Sequence, residues 1–160
     1  AVHLFGVPDA VQATVRALRP GATVDDWFHA RLSYPGRQVF ITSSMLAADA
    51  PPRFVVRGTT GSLVKQGMDP QEARLLAGER PGAADWGHDP EPLRLLRDGA
   101  APVDLHAPAG DYGRFYALMR DAIRYGAPPP VTPDEALTVM RLLLAGLESS
   151  VTGRTIPLHE

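Results

Sequence analysis

Apolar and polar positions alternate along the first part of the chain, and this two-residue period is typical of half-buried strands. The segments that show it are 10–18, 23–34, 37–46, 53–58 and 62–67. Pro35–Gly36 stands between the second and third of these segments and predicts a hairpin turn. Consecutive strands joined by short turns predict an antiparallel meander.

Farther along the chain, the spacing of apolar residues changes to the three- and four-residue steps that are typical of amphipathic helices. Asp69-Pro70-Gln71-Glu72 has the residue order of a helix start and predicts a short helix as far as Gly78. Longer helices are predicted in 111–126 and 132–153, each ended by a glycine. We expect both apolar stripes to be core: Tyr112, Phe115, Tyr116, Met119, Ala122 and Ile123, then Leu137, Met140, Leu144, Leu147 and Val151. Short strands are predicted in 92–99, 102–108 and 155–158.

Strands therefore come first and helices later, an order that favours an α+β fold over βαβ units. The predicted architecture is an open, mainly antiparallel β-sheet with helices packed on one face, in a single domain over residues 1–160. The opening "AVHLFGVP" has the form of a last helical turn that ends at Gly6. We expect residues 1–6 to be the tail of a truncated helix in a longer chain.

Composition narrows the classes of partner and location. Among 160 residues there are 16 Lys and Arg against 18 Asp and Glu, with no basic stripe, so nucleic acid is not an expected partner. No apolar run is long enough to span a bilayer, and no membrane partner is expected. The absence of cysteine excludes disulfides and thiolate chemistry and fits the cytoplasm, where we expect the protein to be.

The segment "GTTGSLVKQG" at 58–67 is the one stretch that could cradle a phosphate. A P-loop needs two glycines separated by four residues and a helix behind them, whereas Gly58 and Gly61 are closer and strand-like residues follow. A hairpin turn is the favoured interpretation. No G-x-G-x-x-G, G-x-S-x-G or H-E-x-x-H occurs, and the histidines lack metal-binding spacing. We therefore predict no catalytic, cofactor-binding or metal-binding residue within this chain.

Five exposed candidates remain for binding. Trp27, His29 and Arg31 share one face of the predicted second strand, opposite the more apolar face. Their functional interpretation is hydrogen bonding to a substrate, and the alternatives are a subunit contact or simple solvation. Arg53 is a further substrate-binding candidate on a neighbouring strand, and Arg57 a further interface candidate. Trp27, His29 and Arg31 are candidates for the interface as well.

Other polar residues are expected to have no special role. Lys65 should be solvated, and so should the loop carboxylates Asp89 and Glu91. Trp86 and His88 lie in a loop that could cover a pocket, but a Trp tucked onto the domain surface is the favoured interpretation.

A family resemblance covers nearly the whole chain. The segments that carry it are "HLFGVP", "VDDWFHARLSY", "PRFVVRGTTGSLVKQGMDPQE", "DWGHDPEP", "GDYGRFYALMRDAIRYGAPPPVTPDEALTVMRLL" and "GRTIPL". In this order they resemble the C-terminal domain of Gfo/Idh/MocA oxidoreductases, the relatives of glucose–fructose oxidoreductase and inositol 2-dehydrogenase.

The resemblance implies a substrate-binding and oligomerisation domain of a dehydrogenase that acts on CH–OH groups of a sugar, a polyol or a related compound. NAD or NADP would bind the missing N-terminal Rossmann domain, and this chain alone would bind neither and be inactive. The Glu-Lys-Pro and Asp-x-x-x-His motifs of the family should precede Ala1, so His3 is not the catalytic histidine. The chain is expected to form a homo-oligomer through the open sheet face.

Two other functions are left open. One is a freestanding binding or scaffold domain that uses the same sheet without catalysis. The other is a small hydrolase with Ser62, His29 and Asp69, which no motif spacing supports.

Overall fold

The computed structural model describes residues 1–158, which leaves the histidine at position 159 outside the described part. The elements in chain order are α1 (Val2–Phe5), β1 (Ala10–Arg16), β2 (Trp27–Tyr34), β3 (Arg37–Ser44), β4 (Phe54–Arg57), β5 (Ser62–Lys65), α2 (Gln71–Leu76), β6 (Leu93–Leu96), β7 (Val103–Leu105), α3 (Tyr112–Tyr125), α4 (Pro133–Thr152) and β8 (Ile156–Pro157). Two compact units result, Ala1–Ala48 with Val131–Glu160 and Asp49–Pro130. No helix within the described range has the length and apolarity to cross a membrane.

The first unit contains a four-stranded antiparallel sheet in the order β3-β2-β1-β8, here called the first sheet. Its register sets Val11 opposite Leu32, and both are 2 % exposed. Val11, Ala13, Leu32, Tyr34 and Ala145 form the buried core of this unit. The alternation of the sequence therefore buries one face of the sheet and leaves the polar residues on the other.

Helix α4 packs on this sheet through small residues. Thr132 accepts a hydrogen bond from Glu135 N, while the Glu135 side chain accepts from Thr132 N, so the predicted capping box is confirmed. The helix buries Ala145 and Ser149, and a Cβ on Gly146 would lie 3.8 Å from that of Ala13. Small side chains here let the helix backbone approach β1 closely.

The serines of α4 also complete the hydrogen bonding of β1. Among the described residues, strand β8 pairs with β1 at Ala10 and Val11. Beyond that point Ser149 Oγ accepts from Ala13 N at 2.9 Å, and Ser150 Oγ accepts from Val15 N at 2.9 Å. Backbone groups that a strand would have paired are satisfied by two hydroxyls instead.

The expectation that the leucine stripe of α4 is core is wrong. Leu144 is 59 % exposed, and the other members of the stripe are exposed as well. The stripe points away from the sheet because the Ala145–Ser149 face makes the close packing and the hydrogen bonds.

The second unit contains the meander β4-β5-β6-β7, here called the second sheet, with every neighbouring pair antiparallel. Helix α3 begins at Asp111, which accepts a hydrogen bond from Arg114 N, and ends at the left-handed Gly126. Its ends match the sequence prediction. The prediction that its apolar stripe is core is wrong, because α3 has no buried residue. The exposed members of the stripe are Tyr112, Phe115, Tyr116 and Ile123.

The α+β class and the antiparallel pairing are confirmed. The strands lie in two sheets of four, with β6, β7 and β8 formed where the short strands were expected. Helix α1 ends at Gly6, whose φ of 77° favours glycine. A single domain over residues 1–160 stays a prediction.

Candidate functional site

The polar face of the first sheet gathers three of the predicted site residues. Register sets Trp27 opposite Arg16, His29 opposite Thr14 and Arg31 opposite Gln12. Trp27, His29 and Arg31 project to the same face because successive side chains of a strand alternate. Their placement agrees with the sequence analysis, while their role stays a prediction.

A cavity of about 310 Å³ opens on this face. We call it the polar-face pocket. It is lined by Gln12, Ala13, Thr14, Arg16, His29, Arg31, Phe40, Ser150 and Gly153. Strands β1, β2 and β3 supply its floor, and the end of α4 supplies Ser150 and the neighbouring Gly153. Trp27 is not among the lining residues.

Two guanidinium groups are held in place at the pocket. Arg31 Nη2 donates to Gln12 Oε1 at 2.9 Å, and Arg31 Nε is shielded from solvent without a partner in the described part of the chain. Arg16 Nη1 donates to Val15 O at 2.7 Å and to Ser150 Oγ at 2.9 Å. Each arginine is thus anchored through one terminal nitrogen.

The rest of the lining mixes an aromatic wall with hydroxyl groups. The His29 and Phe40 rings lie 5.9 Å apart between centroids, tilted by 42°. Thr14 and Ser150 contribute hydroxyls. None of the nine lining residues is acidic. The pocket therefore offers hydrogen-bond donors in a positively charged setting.

Arg53 and Arg57 lie elsewhere. Arg53 precedes β4 of the second sheet, and Arg57 is the last residue of β4, where it pairs in register with Ser62. Both are exposed, and the Arg53 guanidinium lies 5.9 Å from the Phe54 ring centre. Neither residue belongs to the first sheet or to the polar-face pocket.

A second polar cluster, which the sequence analysis missed, lies inside the second unit. Gln71 is 0 % exposed, and its Oε1 accepts from Trp86 Nε1 and from Tyr112 N, each at 3.0 Å. Asp69 Oδ1 accepts from Gln71 N at 3.0 Å, so Asp69 supports the start of α2 from one residue before its Pro70 cap. We group these residues with the Lys65–Asp89 pair of the same unit and call the set the Gln71 cluster.

The expectation that Lys65 and Asp89 are solvated is wrong. Lys65 Nζ lies 2.8 Å from Asp89 Oδ2, and the two side chains are 8 % and 12 % exposed. Burial alone would raise the pKa of the Asp89 carboxyl, but Lys65 and the Glu91 N–H outweigh it and hold that pKa below its ordinary value.

Two glycines allow the chain to close around Gln71. A Cβ on Gly87 would collide with the carbonyl oxygen of Gly110, and one on Gly110 would lie 2.6 Å from Gln71 Nε2. The cluster thus joins the segments "GTTGSLVKQGMDPQE", "DWGHDP" and "GDYGRFY", which are distant in sequence. Gln71 Nε2 has no partner among the described residues.

The glycine segment at 58–61 is a turn, as predicted. Gly58 N donates to Gly61 O at 2.8 Å, which closes the hairpin between β4 and β5. A side chain at Gly61 would meet Leu96 O at 2.7 Å. Close packing against β6 explains this glycine without any phosphate.

Comparison with known proteins supplies the family. The sequence model of one protein family matches residues 1–158. Its description is oxidoreductase family, C-terminal alpha/beta domain, and the family is Gfo/Idh/MocA. The chain therefore belongs to the Gfo/Idh/MocA oxidoreductase family and corresponds to its C-terminal domain.

Individual relatives agree with this assignment. The oxidoreductase YdgJ of Escherichia coli K12 is 43% identical, over 94% of this chain and 44% of its own length. The scyllo-inositol 2-dehydrogenase (NADP(+)) IolW of Bacillus subtilis 168 is 36% identical, over 99% of this chain and 46% of its own length. An oxidoreductase structure from Klebsiella pneumoniae superposes with a TM-score of 0.92 at 41% identity, over 99% of this chain and 46% of that one. This chain spans less than half the length of each.

Proposed function

We propose that this chain is the substrate-binding and subunit-association domain of an NAD(P)-dependent oxidoreductase that acts on CH–OH groups of a sugar, polyol or related hydroxy compound. The observation that carries the proposal is the family match over residues 1–158. The similarity to a scyllo-inositol 2-dehydrogenase that uses NADP(+) supports both the substrate class and the cofactor.

The nicotinamide cofactor is assigned to another part of the enzyme. A dinucleotide pyrophosphate needs a glycine turn between a parallel strand and a helix N-terminus. Both described sheets are antiparallel, and Gly58–Gly61 closes a hairpin. The residues described here do not fit this cofactor, so hydride transfer would take place on an N-terminal Rossmann domain. The relatives, about twice as long as this chain, have room for one.

The polar-face pocket is the proposed substrate contact of this domain. Gln12, Thr14, His29 and Arg31 offer the donors and acceptors that bind hydroxyl groups. Phe40 provides an apolar wall, as in many small-molecule sites. In this arrangement the chain binds and orients a substrate, while another domain performs the chemistry.

The same face is also proposed to join two copies of the chain. Trp27 lies outside the pocket lining, so we assign the subunit contact to Trp27 and the ligand contact to His29 and Arg31. Aromatic residues are enriched at protein interfaces, and a two-fold axis would place the same surface on both partners. We also propose a cytoplasmic location, which the absence of cysteine supports.

An activity assay of the complete gene product tests the proposal. We expect NAD(P)-dependent oxidation of a polyol such as scyllo-inositol, read as absorbance of the reduced cofactor at the nicotinamide band. The 160-residue chain alone should show neither turnover nor cofactor binding by calorimetry. A micromolar dissociation constant of the chain for NAD or NADP would contradict the division of roles. A freestanding scaffold would show no activity even from the complete gene product.

A further inference from the structure

We propose that the polar-face pocket is an anion site, which takes the carboxylate or phosphate group of a small hydroxylated molecule. The inference deepens the proposed function by naming a substrate class. Anion binding itself does not depend on the proposed function; only the statement that the bound molecule is a substrate rests on it.

Local charge is the first support. The chain as a whole is slightly negative, with 18 acidic residues against 16 basic ones. The nine residues of the pocket nevertheless include Arg16, Arg31 and His29 and no carboxylate. An exposed cavity whose charges are all basic attracts an anion, and the attraction is stronger where the walls exclude water.

Unused donors are the second support. Arg31 Nη2 is bound to Gln12, its Nε is shielded from solvent without a partner among the described residues, and its Nη1 remains to meet a ligand. Arg16 uses Nη1 alone, so its Nε and Nη2 have no partner among the described residues. A planar guanidinium with a free edge matches the paired oxygens of a carboxylate or phosphate.

Preorganisation is the third support. Gln12 holds Arg31 from β1, and Ser150 holds Arg16 from α4. Ser150 is itself fixed, because its Oγ accepts from Val15 N. Two anchored cations lose less side-chain freedom on binding than two free ones, which favours affinity.

Size and lining define the rest of the ligand. A volume of about 310 Å³ is small for a ligand site and suits a molecule of monosaccharide size. Thr14 can bind its hydroxyls, and Phe40 can pack against its carbon face. A sugar acid and a sugar phosphate both have this chemistry.

Calorimetric titration of the 160-residue chain at low ionic strength tests the site. The probes are D-gluconate, D-glucose 6-phosphate, inorganic phosphate and the neutral polyol D-glucitol. We expect saturable binding of gluconate or glucose 6-phosphate, at least tenfold tighter than glucitol and inorganic phosphate, and weaker as salt is added. Tighter binding of gluconate would indicate a carboxylate ligand, and tighter binding of glucose 6-phosphate would indicate a phosphate ligand.

Matched arginine variants locate the binding. R31M and R16M should each weaken it at least tenfold, whereas R57M, an exposed arginine of the second sheet, should leave it unchanged. Thermal unfolding of each variant checks that the fold is kept. The proposal is overturned by absence of saturable anion binding, by equal affinity for gluconate and glucitol, by inorganic phosphate binding as tightly as both organic anions, or by R31M and R16M that both bind normally.

The complete gene product separates this inference from the proposed function. If R31M raises the KM of the enzyme for neutral polyols while the chain binds no anion, the anion site is wrong and the proposed function stands. If the chain binds gluconate through Arg31 but the complete enzyme transfers no hydride, the proposed function fails and the anion site stands.

Discussion

The two polar clusters of this protein differ in how far they are buried. In the Gln71 cluster the protein itself surrounds the polar groups: Gln71 is fully buried and its Oε1 accepts from Trp86 and Tyr112, while its Nε2 has no partner among the described residues. In the polar-face pocket, Arg16 and Arg31 are each held through one nitrogen and keep unused donors. A cluster closed by its own chain stabilises the fold, and a cluster left open can bind another molecule.

The two units also differ in what stabilises them. Every buried apolar side chain of the described residues lies in the first unit, in the core around Val11 and Leu32. In the second unit the most buried side chains are Gln71 and Lys65. Buried polar contacts therefore stabilise the second unit, as apolar packing stabilises the first. Substitutions that remove these polar contacts should lower the stability of the protein.

The largest effect is expected for Gln71→Ala. It leaves Trp86 Nε1 and Tyr112 N unpaired, at about 1–3 kcal/mol each, and opens a cavity, so the total should be about 3–6 kcal/mol. Denaturant unfolding measures this cost. Glu72→Ala, an exposed neighbour on the same helix, is the control and should change stability by less than about 0.5 kcal/mol. Equal midpoints for the two variants would show that Gln71 is not structural.

A slightly smaller cost is expected for Asp89→Asn. It leaves the Lys65 ammonium buried without a counter-charge, and breaking such pairs costs about 3–5 kcal/mol. The pKa of Asp89 is lowered in the folded protein, so its contribution is present above the ordinary value of 3.8 and is lost as pH falls through the lowered pKa. The wild type should therefore lose more stability on acidification below that value than the variant does. Unfolding curves that decline in parallel would contradict this.

Two leucine substitutions within the first unit come next. Leu32→Ala should cost about 2–5 kcal/mol because Leu32 is in the core, whereas Leu144→Ala should cost less than about 0.5 kcal/mol because that side chain is exposed. Melting temperatures of the two variants measure the difference. A larger loss of stability for Leu144→Ala than for Leu32→Ala would show that the leucine stripe is core after all.

Trp27→Glu should affect association rather than stability. A carboxylate at the proposed contact should dissociate two copies of the chain while the melting temperature stays nearly unchanged. Light scattering measures the mass of wild type and variant. A monomeric wild type at high micromolar concentration would rule out the contact.

The sequence predicted the elements better than their packing. Alternation located β1, β2 and β3 and the face that Trp27 shares with His29, because a strand's faces follow from local spacing alone. The stripe of α4 was misassigned because apolar size suggests the buried face, whereas close approach to β1 requires small residues and hydroxyls such as Ala145 and Ser149.

The Gln71 cluster could not be predicted from local pattern. Gln71 contacts Trp86, which is 15 residues away in sequence, and Tyr112, which is 41 residues away. Lys65, at the end of β5, contacts Asp89 in a loop. A lysine in a strand and an aspartate in a loop are usually solvated, and only the fold brings them together. The polar-face pocket was half predicted, since His29 and Arg31 were found but Arg16 and Ser150 were not.

The contrast between a closed structural cluster and an open binding cluster is tested most directly by measuring stability and gluconate binding on the same two variants. Gln71→Ala should lower the free energy of unfolding by about 3–6 kcal/mol and, under conditions where it is still folded, bind gluconate like the wild type. Arg31→Met should unfold like the wild type, within about 0.5 kcal/mol, and lose at least tenfold in affinity. If Gln71→Ala lost the binding, or if Arg31→Met lost stability and kept its affinity, the distinction between the two clusters would be contradicted.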